Sequence, residues 1–277
     1  MLASGTFHIG GELPVHRLGF GAMRITGDGI WGPPRDPQQA RAVLREAVRL
    51  GVDFIDTAES YGPEVSENLI AEALHPYPDE LVIATKGGFN RSGPGKWHVD
   101  CRPERLRDAC ESSLRRLRLD CIDLWQLHRI DRNVPVEEQF GVISELRDEG
   151  KIRFVGVSEV SVAQLARARE LIDVVSVQNR FNYAERNAED VLEACEDADI
   201  GFIPWFPLAV GDLAGEGSAL ATAAERHSVK PSQLALAWLL HRSSVMLPIP
   251  GTGSLEHLRE NCAAALVELT ENDLKEL

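Results

Sequence analysis

The chain has 277 residues, of which 44% are hydrophobic and 26% are charged. This composition is typical of a folded globular protein and gives no indication of disorder. The formal net charge is -14 and the sequence contains no Lys/Arg-rich tract, which argues against nucleic-acid binding and leaves small molecules as the expected partners.

The first predicted element is a β-hairpin, made by residues 6–9 and 12–15 around the two-residue turn Gly10-Gly11. We expect this hairpin to act as a plug over the bottom of a barrel.

After the hairpin, short runs rich in Val, Ile and Phe alternate with stretches of helical period, which predicts βα units around a parallel sheet. The predicted strands are residues 17–21, 54–56, 81–86, 122–128, 154–158, 174–178, 202–205 and 245–250. Predicted helices include residues 38–50, 105–117, 137–149, 188–198 and 255–264, with two additional helices at 218–227 and 231–240. Eight units favour a closed (β/α)8 TIM barrel, a single domain over residues 1–277, and the main alternative is an open doubly wound sheet.

Cysteine usage and the N-terminal sequence bear on the cellular compartment. The five cysteines are scattered and none forms a Cys-x-x-Cys pair, and the first residues lack a charged and then apolar signal pattern. We therefore expect a reduced, cytoplasmic protein that is neither secreted nor membrane-spanning.

Three consecutive predicted strands end in ionisable residues, namely Asp56, Lys86 and His128, and Tyr61 follows Asp56 in the next loop. In a barrel the carboxyl ends of the strands face the active site, so we expect the four side chains to converge. Tyr61 would donate a proton, Lys86 would lower the pKa of Tyr61, Asp56 would orient Lys86, and His128 would bind the substrate oxygen. No metal site is predicted, because no His-x-His pair or carboxylate cluster occupies the strand ends.

These residues lie in motifs that extend over nearly the whole chain, including DTAESYGPEVSE, ATKGG, GVS, SVQNR, PWFPL and PIPGT. In this order and spacing they resemble the aldo-keto reductase superfamily, whose catalytic tetrad is Asp, Tyr, Lys and His. The resemblance implies an enzyme that reduces an aldehyde or ketone to an alcohol with NADPH.

The resemblance also implies the cofactor contacts. Around the nicotinamide and its ribose these are Gly21, Ala22, Met23, Asp56, Ser158, Gln178 and Trp205, with Trp205 stacked on the ring. Along the pyrophosphate they are Phe206, Leu208, Gly211 and Leu213. At the adenosine end they are Gly251, Thr252, Ser254, His257, Glu260 and Asn261.

The sequence departs from the family pattern at two places. Glu159 stands where the family has an Asn that contacts the carboxamide. The adenosine end lacks the Lys or Arg that neutralises a 2′-phosphate and offers only His257, so we expect NADPH to be preferred and NADH to be tolerated.

A narrower resemblance, carried by the run GFGAMRITGDGIWGPP, is to a bacterial branch of pyridoxal reductases. Trp31 would then lie at the rim of the pocket and stack on a flat ring such as that of pyridoxal, beside Tyr61 and His128. Two alternatives stay open: a broad aldehyde reductase, and a non-catalytic nucleotide-binding barrel that resembles the channel β-subunits.

Overall fold

The computed structural model describes residues 1–208 and 218–277. The strands in chain order are β1 (Thr6–Ile9), β2 (Leu13–His16), β3 (Phe20–Gly21), β4 (Phe54–Asp56), β5 (Val82–Gly87), β6 (Phe89–Gly93), β7 (Lys96–Val99), β8 (Ile122–Leu127), β9 (Ile152–Ser158), β10 (Val174–Gln178) and β11 (Gly201–Phe202). The helices are α1 (Pro37–Arg49), α2 (Val65–Leu74), α3 (Pro103–Leu117), α4 (Val136–Asp148), α5 (Val162–Leu171), α6 (Glu189–Ala198), α7 (Ala219–Arg226), α8 (Pro231–Arg242), α9 (Leu255–Ala263) and α10 (Glu271–Glu276).

Seven strands form one parallel sheet in the order β11-β10-β9-β8-β5-β4-β3. Every residue of β5 and of β10 is buried, as is typical of parallel strands that are covered on both faces. Helices such as α1 supply the outer layer. Asp36 caps α1 by accepting from the backbone N–H groups of Gln38 and Gln39, and an apolar stripe including Val43 and Leu44 is buried.

Residues 245–250, predicted as the eighth strand, form no regular strand, but their backbone joins the two edges of this sheet. The backbone N–H of Leu247 donates to the oxygen of Phe202 (2.7 Å), and that of Gly19 donates to the oxygen of Pro248 (3.0 Å). A Cβ on Gly21 would lie 2.6 Å from the Ile249 oxygen, so only glycine permits this approach. The α/β barrel predicted from the sequence is therefore confirmed.

Some strand bounds differ from those predicted. β11 ends at Phe202 rather than at residue 205, because Pro204 has no N–H with which to continue the ladder. The two additional helices, α7 and α8, lie where they were predicted, and the short C-terminal helix α10 was not predicted. No helix within residues 1–208 and 218–277 is long and apolar enough to cross a membrane.

Two hairpins lie outside the barrel sheet. β1 pairs with β2, and because Ile9 faces Leu13 the turn has three residues, not the predicted two. Gly10 and Gly11 both have positive φ, 62° and 75°, a backbone that glycine adopts without strain, and Glu12 is the third residue of the turn. The second hairpin, β6–β7, lies between β5 and α3, in a segment that the sequence interpretation treated as a loop.

Candidate active site

The four residues that the sequence singled out meet at the carboxyl ends of neighbouring strands. β4 pairs with β5, and β5 pairs with β8, which brings Asp56, Lys86 and His128 side by side. The backbone N–H of His128 donates to the oxygen of Gly87 (2.9 Å), so the position of His128 is fixed by the sheet. Tyr61 enters from the loop after β4, and all four side chains are buried.

Lys86 lies at the centre of this group. Its Nζ is 2.6 Å from Asp56 Oδ1, 2.7 Å from the backbone oxygen of Thr57 and 3.4 Å from Tyr61 Oη. Burial lowers the pKa of Lys86, but the attraction of the Asp56 carboxylate and of Tyr61 outweighs burial, so the pKa is raised above the usual lysine value. The ammonium therefore keeps its charge beside the Tyr61 hydroxyl.

The second oxygen of Asp56 is also saturated. Gln126 Nε2 and Gln178 Nε2 donate to Asp56 Oδ2 at 3.0 and 2.9 Å. The sequence interpretation did not name Gln126, although it lies two residues before His128 and therefore on the same side of the strand. Gln178, which the resemblance places at the nicotinamide, is in this structure also part of the support for Asp56.

Tyr61 and His128 face each other edge to face, with ring centroids 6.0 Å apart. Burial raises the pKa of Tyr61 more than the nearby Lys86 ammonium lowers it, so the phenol holds its proton more tightly than the sequence argument expected. Burial, together with the Lys86 and Arg129 charges, lowers the pKa of His128 well below its usual value. A neutral imidazole and a protonated phenol thus share one pocket.

One polar atom of this pocket lacks a hydrogen-bond partner among the residues that the structure describes. His128 Nδ1 is buried and has no hydrogen-bond partner within the described parts of the chain. Buried polar atoms are usually paired, so this unpaired nitrogen marks the group as a candidate functional site.

The aromatic side of the pocket was not fully predicted. Trp97, on β7, has its ring centroid 6.5 Å from that of Tyr61 and 6.4 Å from that of His128. Phe89, on β6, is 4.6 Å from His128. Trp31 pairs with Gly62 through the backbone, and its ring faces Arg91 at 5.7 Å. Trp97 thus contacts the rings of Tyr61 and His128, whereas Trp31, which the sequence interpretation had favoured, contacts Arg91.

The residues expected at the nicotinamide lie at the ends of the next strands. Ser158 Oγ, at the end of β9, accepts from Arg129 Nη1 (3.1 Å). Glu159 has a left-handed backbone, φ 55°, which suits the Asn of the family better than Glu. Its Oε1 accepts from Trp205 Nε1 (2.6 Å). Glu159 thus holds the indole of Trp205 in place.

The residues expected at the adenosine end cluster at the start of α9. A Cβ on Gly251 would lie 2.4 Å from the Gly21 oxygen, so the two segments approach through glycine alone. Ala22 and Met23 continue from Gly21 in a short 3-10 helix, Ala22–Ile25. Ser254 Oγ caps α9 by accepting from the backbone N–H of His257 (3.4 Å). A helix N-terminus of this kind attracts a phosphate.

The remaining cofactor candidates are placed as follows. At the adenosine end, Thr252 and Asn261 are buried, Thr252 Oγ1 accepts from the Ser254 N–H (3.0 Å), and Glu260 pairs with Lys230. Along the expected pyrophosphate, the centroid of the Phe206 ring lies 5.9 Å from that of Trp205, and Leu208 packs at the edge of the core. Gly211 and Leu213 lie outside the described residues. Among the described residues, no group of three or more His, Cys, Asp or Glu side chains is placed to hold a metal ion.

The chain is similar to known proteins over nearly its whole length. The model of the aldo/keto reductase family matches residues 17–277, and the chain belongs to this family, an oxidoreductase of the class that reduces carbonyl groups. It is 41% identical over 282 residues to pyridoxine 4-dehydrogenase of Escherichia coli, covering 100% of this chain and 98% of that protein.

Two further relatives are similar over most of their length. An uncharacterized oxidoreductase of Schizosaccharomyces pombe is 52% identical over 267 residues, which is 96% of this chain and 87% of that protein. The crystal structure of an aldo-keto reductase from Klebsiella pneumoniae in complex with NADPH has a TM-score of 0.83 and 27% identity, covering 98% of this chain and 92% of that one.

Proposed function

We propose that this chain is a cytoplasmic, single-domain, NADPH-dependent reductase of aldehydes and ketones, and that a small ring aldehyde such as pyridoxal is its substrate. The observation that carries the proposal is the buried group in which Lys86 Nζ lies 2.6 Å from Asp56 and 3.4 Å from the Tyr61 hydroxyl. In the same proposal, the β1–β2 hairpin closes the end of the barrel opposite this group, where Phe7 lies against Gly201 at the start of β11.

NADPH, when bound, supplies the hydride. The start of α9, capped by Ser254, fits the adenosine end of the cofactor, and Trp205, held by Glu159, fits the nicotinamide ring. The support for NADPH is the NADPH complex of the Klebsiella relative. NADH is tolerated because His257 gives the 2′-phosphate no permanent charge.

In the reaction, the carbonyl carbon receives the hydride and the carbonyl oxygen receives the proton of Tyr61, so that C=O becomes CH–OH. The neutral imidazole of His128 orients the carbonyl oxygen. After the proton leaves, the Lys86 ammonium stabilises the Tyr61 phenolate, and Asp56 holds that ammonium charged and in place.

The ring substrate is supported by two observations. The Escherichia coli relative is a pyridoxine 4-dehydrogenase, and the reduction of pyridoxal to pyridoxine is the corresponding reaction in the reverse direction. In addition, Trp97, Phe89 and Trp31 surround the pocket on one side, and aromatic rings stack well on flat substrates. Stacking on Trp97 is favoured over stacking on Trp31 because Trp97 lies next to Tyr61.

The test is cofactor oxidation with pyridoxal, benzaldehyde and butanal, measured in parallel with NADPH and NADH, for the wild type and Tyr61→Phe. We expect kcat of Tyr61→Phe to fall about 100-fold or more, because no positioned acid remains. Tyr77→Phe is the matched control: its hydroxyl donates to the Leu117 oxygen (2.6 Å), far from the site, and its activity should stay near that of the wild type. A loss of less than about tenfold in Tyr61→Phe would contradict the role of Tyr61. Cofactor binding without turnover of any carbonyl would favour the non-catalytic alternative.

A further inference from the structure

Arg91, on β6, hydrogen-bonds to three separate segments at the rim of the pocket. Its Nη1 donates to the backbone oxygens of Ile30 (2.9 Å) and Ser60 (2.8 Å), its Nη2 donates to those of Gly29 (3.1 Å) and Gly93 (3.4 Å), and its Nε donates to that of Lys96 (3.2 Å). These carbonyls belong to the loop after β3, to the loop after β4 that carries Tyr61, and to the turn of the β6–β7 hairpin. One guanidinium therefore links all three segments.

The same guanidinium also packs between two indole rings. Its central carbon lies 3.6 Å from the ring centroid of Trp97 and 5.7 Å from that of Trp31. Arginine suits this position because its planar group stacks on an aromatic face while its edge donates up to five hydrogen bonds. Among the described residues, no carboxylate forms an ion pair with Arg91, so its donors serve backbone oxygens.

Both parts of this arrangement lead to the reacting group. Ser60, whose oxygen accepts from Arg91, precedes Tyr61 directly. Trp97, on which Arg91 stacks, lies edge to face with Tyr61 (6.5 Å) and His128 (6.4 Å). The segment that carries Tyr61 has contacts besides those of Arg91: Glu59 pairs with Arg105 (2.8 Å), and the backbone N–H of Gly62 donates to the oxygen of Ile30 (3.3 Å).

We propose that Arg91 is a positioning residue that holds Trp97 against the pocket and thereby makes the enzyme prefer carbonyl substrates that carry a flat ring. This inference rests on the proposed function, since it assigns a substrate preference to the same site. It predicts that loss of Arg91 lowers the preference for ring substrates while the fold and the cofactor affinity persist.

The experiment compares Arg91→Met, Arg91→Lys, Trp97→Leu and the double variant Arg91→Met/Trp97→Leu with the wild type. For each protein, kcat and KM are measured for benzaldehyde and butanal, and the Kd of NADPH is measured by fluorescence titration. Arg35→Met is the matched control, because Arg35 lies in the loop after β3 but its side chain is 90% exposed and pairs only with Asp28 among the described residues.

We expect the benzaldehyde-to-butanal ratio of kcat/KM to fall about fivefold or more in Arg91→Met and in Trp97→Leu, which is the size of one lost aromatic contact. In the double variant this ratio should fall no further than in the single variants, because Arg91 acts through Trp97. Arg91→Lys should be intermediate, and Arg35→Met and the NADPH affinity should not change. An unchanged ratio in Arg91→Met, or additive effects in the double variant, would overturn the proposal.

A second readout does not depend on turnover. Acrylamide quenching of Trp97 fluorescence, obtained as the difference between each protein and its Trp97→Leu version, should increase in Arg91→Met. Should Arg91→Met not fold, Arg91→Lys serves for both readouts. If the wild type reduces no ring aldehyde, the proposed substrate class is wrong and quenching alone decides on Arg91: increased quenching supports its hold on Trp97, and unchanged quenching overturns it.

Discussion

The buried pair of Asp56 and Lys86 predicts a large coupling energy in protein stability. The side chain of Lys86 is 0% exposed and that of Asp56 is 2% exposed, and Asp56 accepts from Lys86 Nζ and from the amides of Gln126 and Gln178. In Asp56→Asn, the ammonium loses its counter-charge and the new amide group faces N–H donors. Breaking one side of a buried pair costs about 3–5 kcal/mol of unfolding free energy. Lys86→Met, which leaves the carboxylate without its cation, should cost a similar amount.

In the double variant Asp56→Asn/Lys86→Met neither charge of the pair remains. Its loss of unfolding free energy should therefore be smaller than the sum of the losses in the two single variants by about 2 kcal/mol or more. Urea unfolding followed by circular dichroism measures all four proteins. The pair Arg35 and Asp28 provides the control, because it is also within 2.9 Å but is 90% and 88% exposed, and its coupling should stay below about 1 kcal/mol. A coupling at Asp56 and Lys86 no larger than that of the exposed pair would refute the reasoning.

Two other predictions concern cofactor preference at His257 and the pH dependence of stability at Asp273. His257→Arg places a permanent charge at the start of α9 and should raise the NADPH-to-NADH ratio of kcat/KM by about tenfold; an unchanged ratio would place the 2′-phosphate elsewhere. Hydrogen bonds from Arg226, and to a smaller extent from Thr270, hold the pKa of Asp273 below its usual value. The ionised Asp273 therefore stabilises the folded protein above the ordinary carboxyl pKa, and this stabilisation is lost as the pH falls below about 4. Asp273→Asn should therefore lower the urea midpoint near neutral pH and lower it less in acid, and an equal loss at both pH values would contradict this account.

The reacting group could be predicted because it follows from topology alone. Parallel strands end at one edge, so residues at three consecutive strand ends had to meet, and the structure places Asp56, Lys86 and His128 together. The electrostatics could not be predicted in the same way. The sequence shows that Lys86 is near Tyr61, but it does not show that both are buried, and burial reverses the expected direction of the Tyr61 pKa.

The rim of the pocket was harder to predict because its determinants are local and polar. β6 and β7 are partly exposed and carry no regular apolar alternation, so they read as a loop, and Trp97 was missed with them. Hydrogen bonds from an arginine to backbone oxygens, such as those of Arg91, cannot be predicted from residue types, because every residue has a backbone carbonyl. The Gly93-Pro94-Gly95 turn is the sequence feature from which this hairpin could have been predicted.

The raised pKa of Tyr61 affects the free energy of the proton transfer in the proposed reaction. A tyrosine with its ordinary pKa is already protonated at neutral pH, so burial, which raises the pKa of Tyr61, makes the hydroxyl a weaker acid and adds to the free energy of proton donation. The Lys86 ammonium, 3.4 Å from the hydroxyl, stabilises the phenolate most once the proton has left, because the attraction between the two charges acts only in that state. Burial therefore opposes donation by Tyr61, and Lys86 offsets part of this effect by lowering the free energy of the state that follows donation.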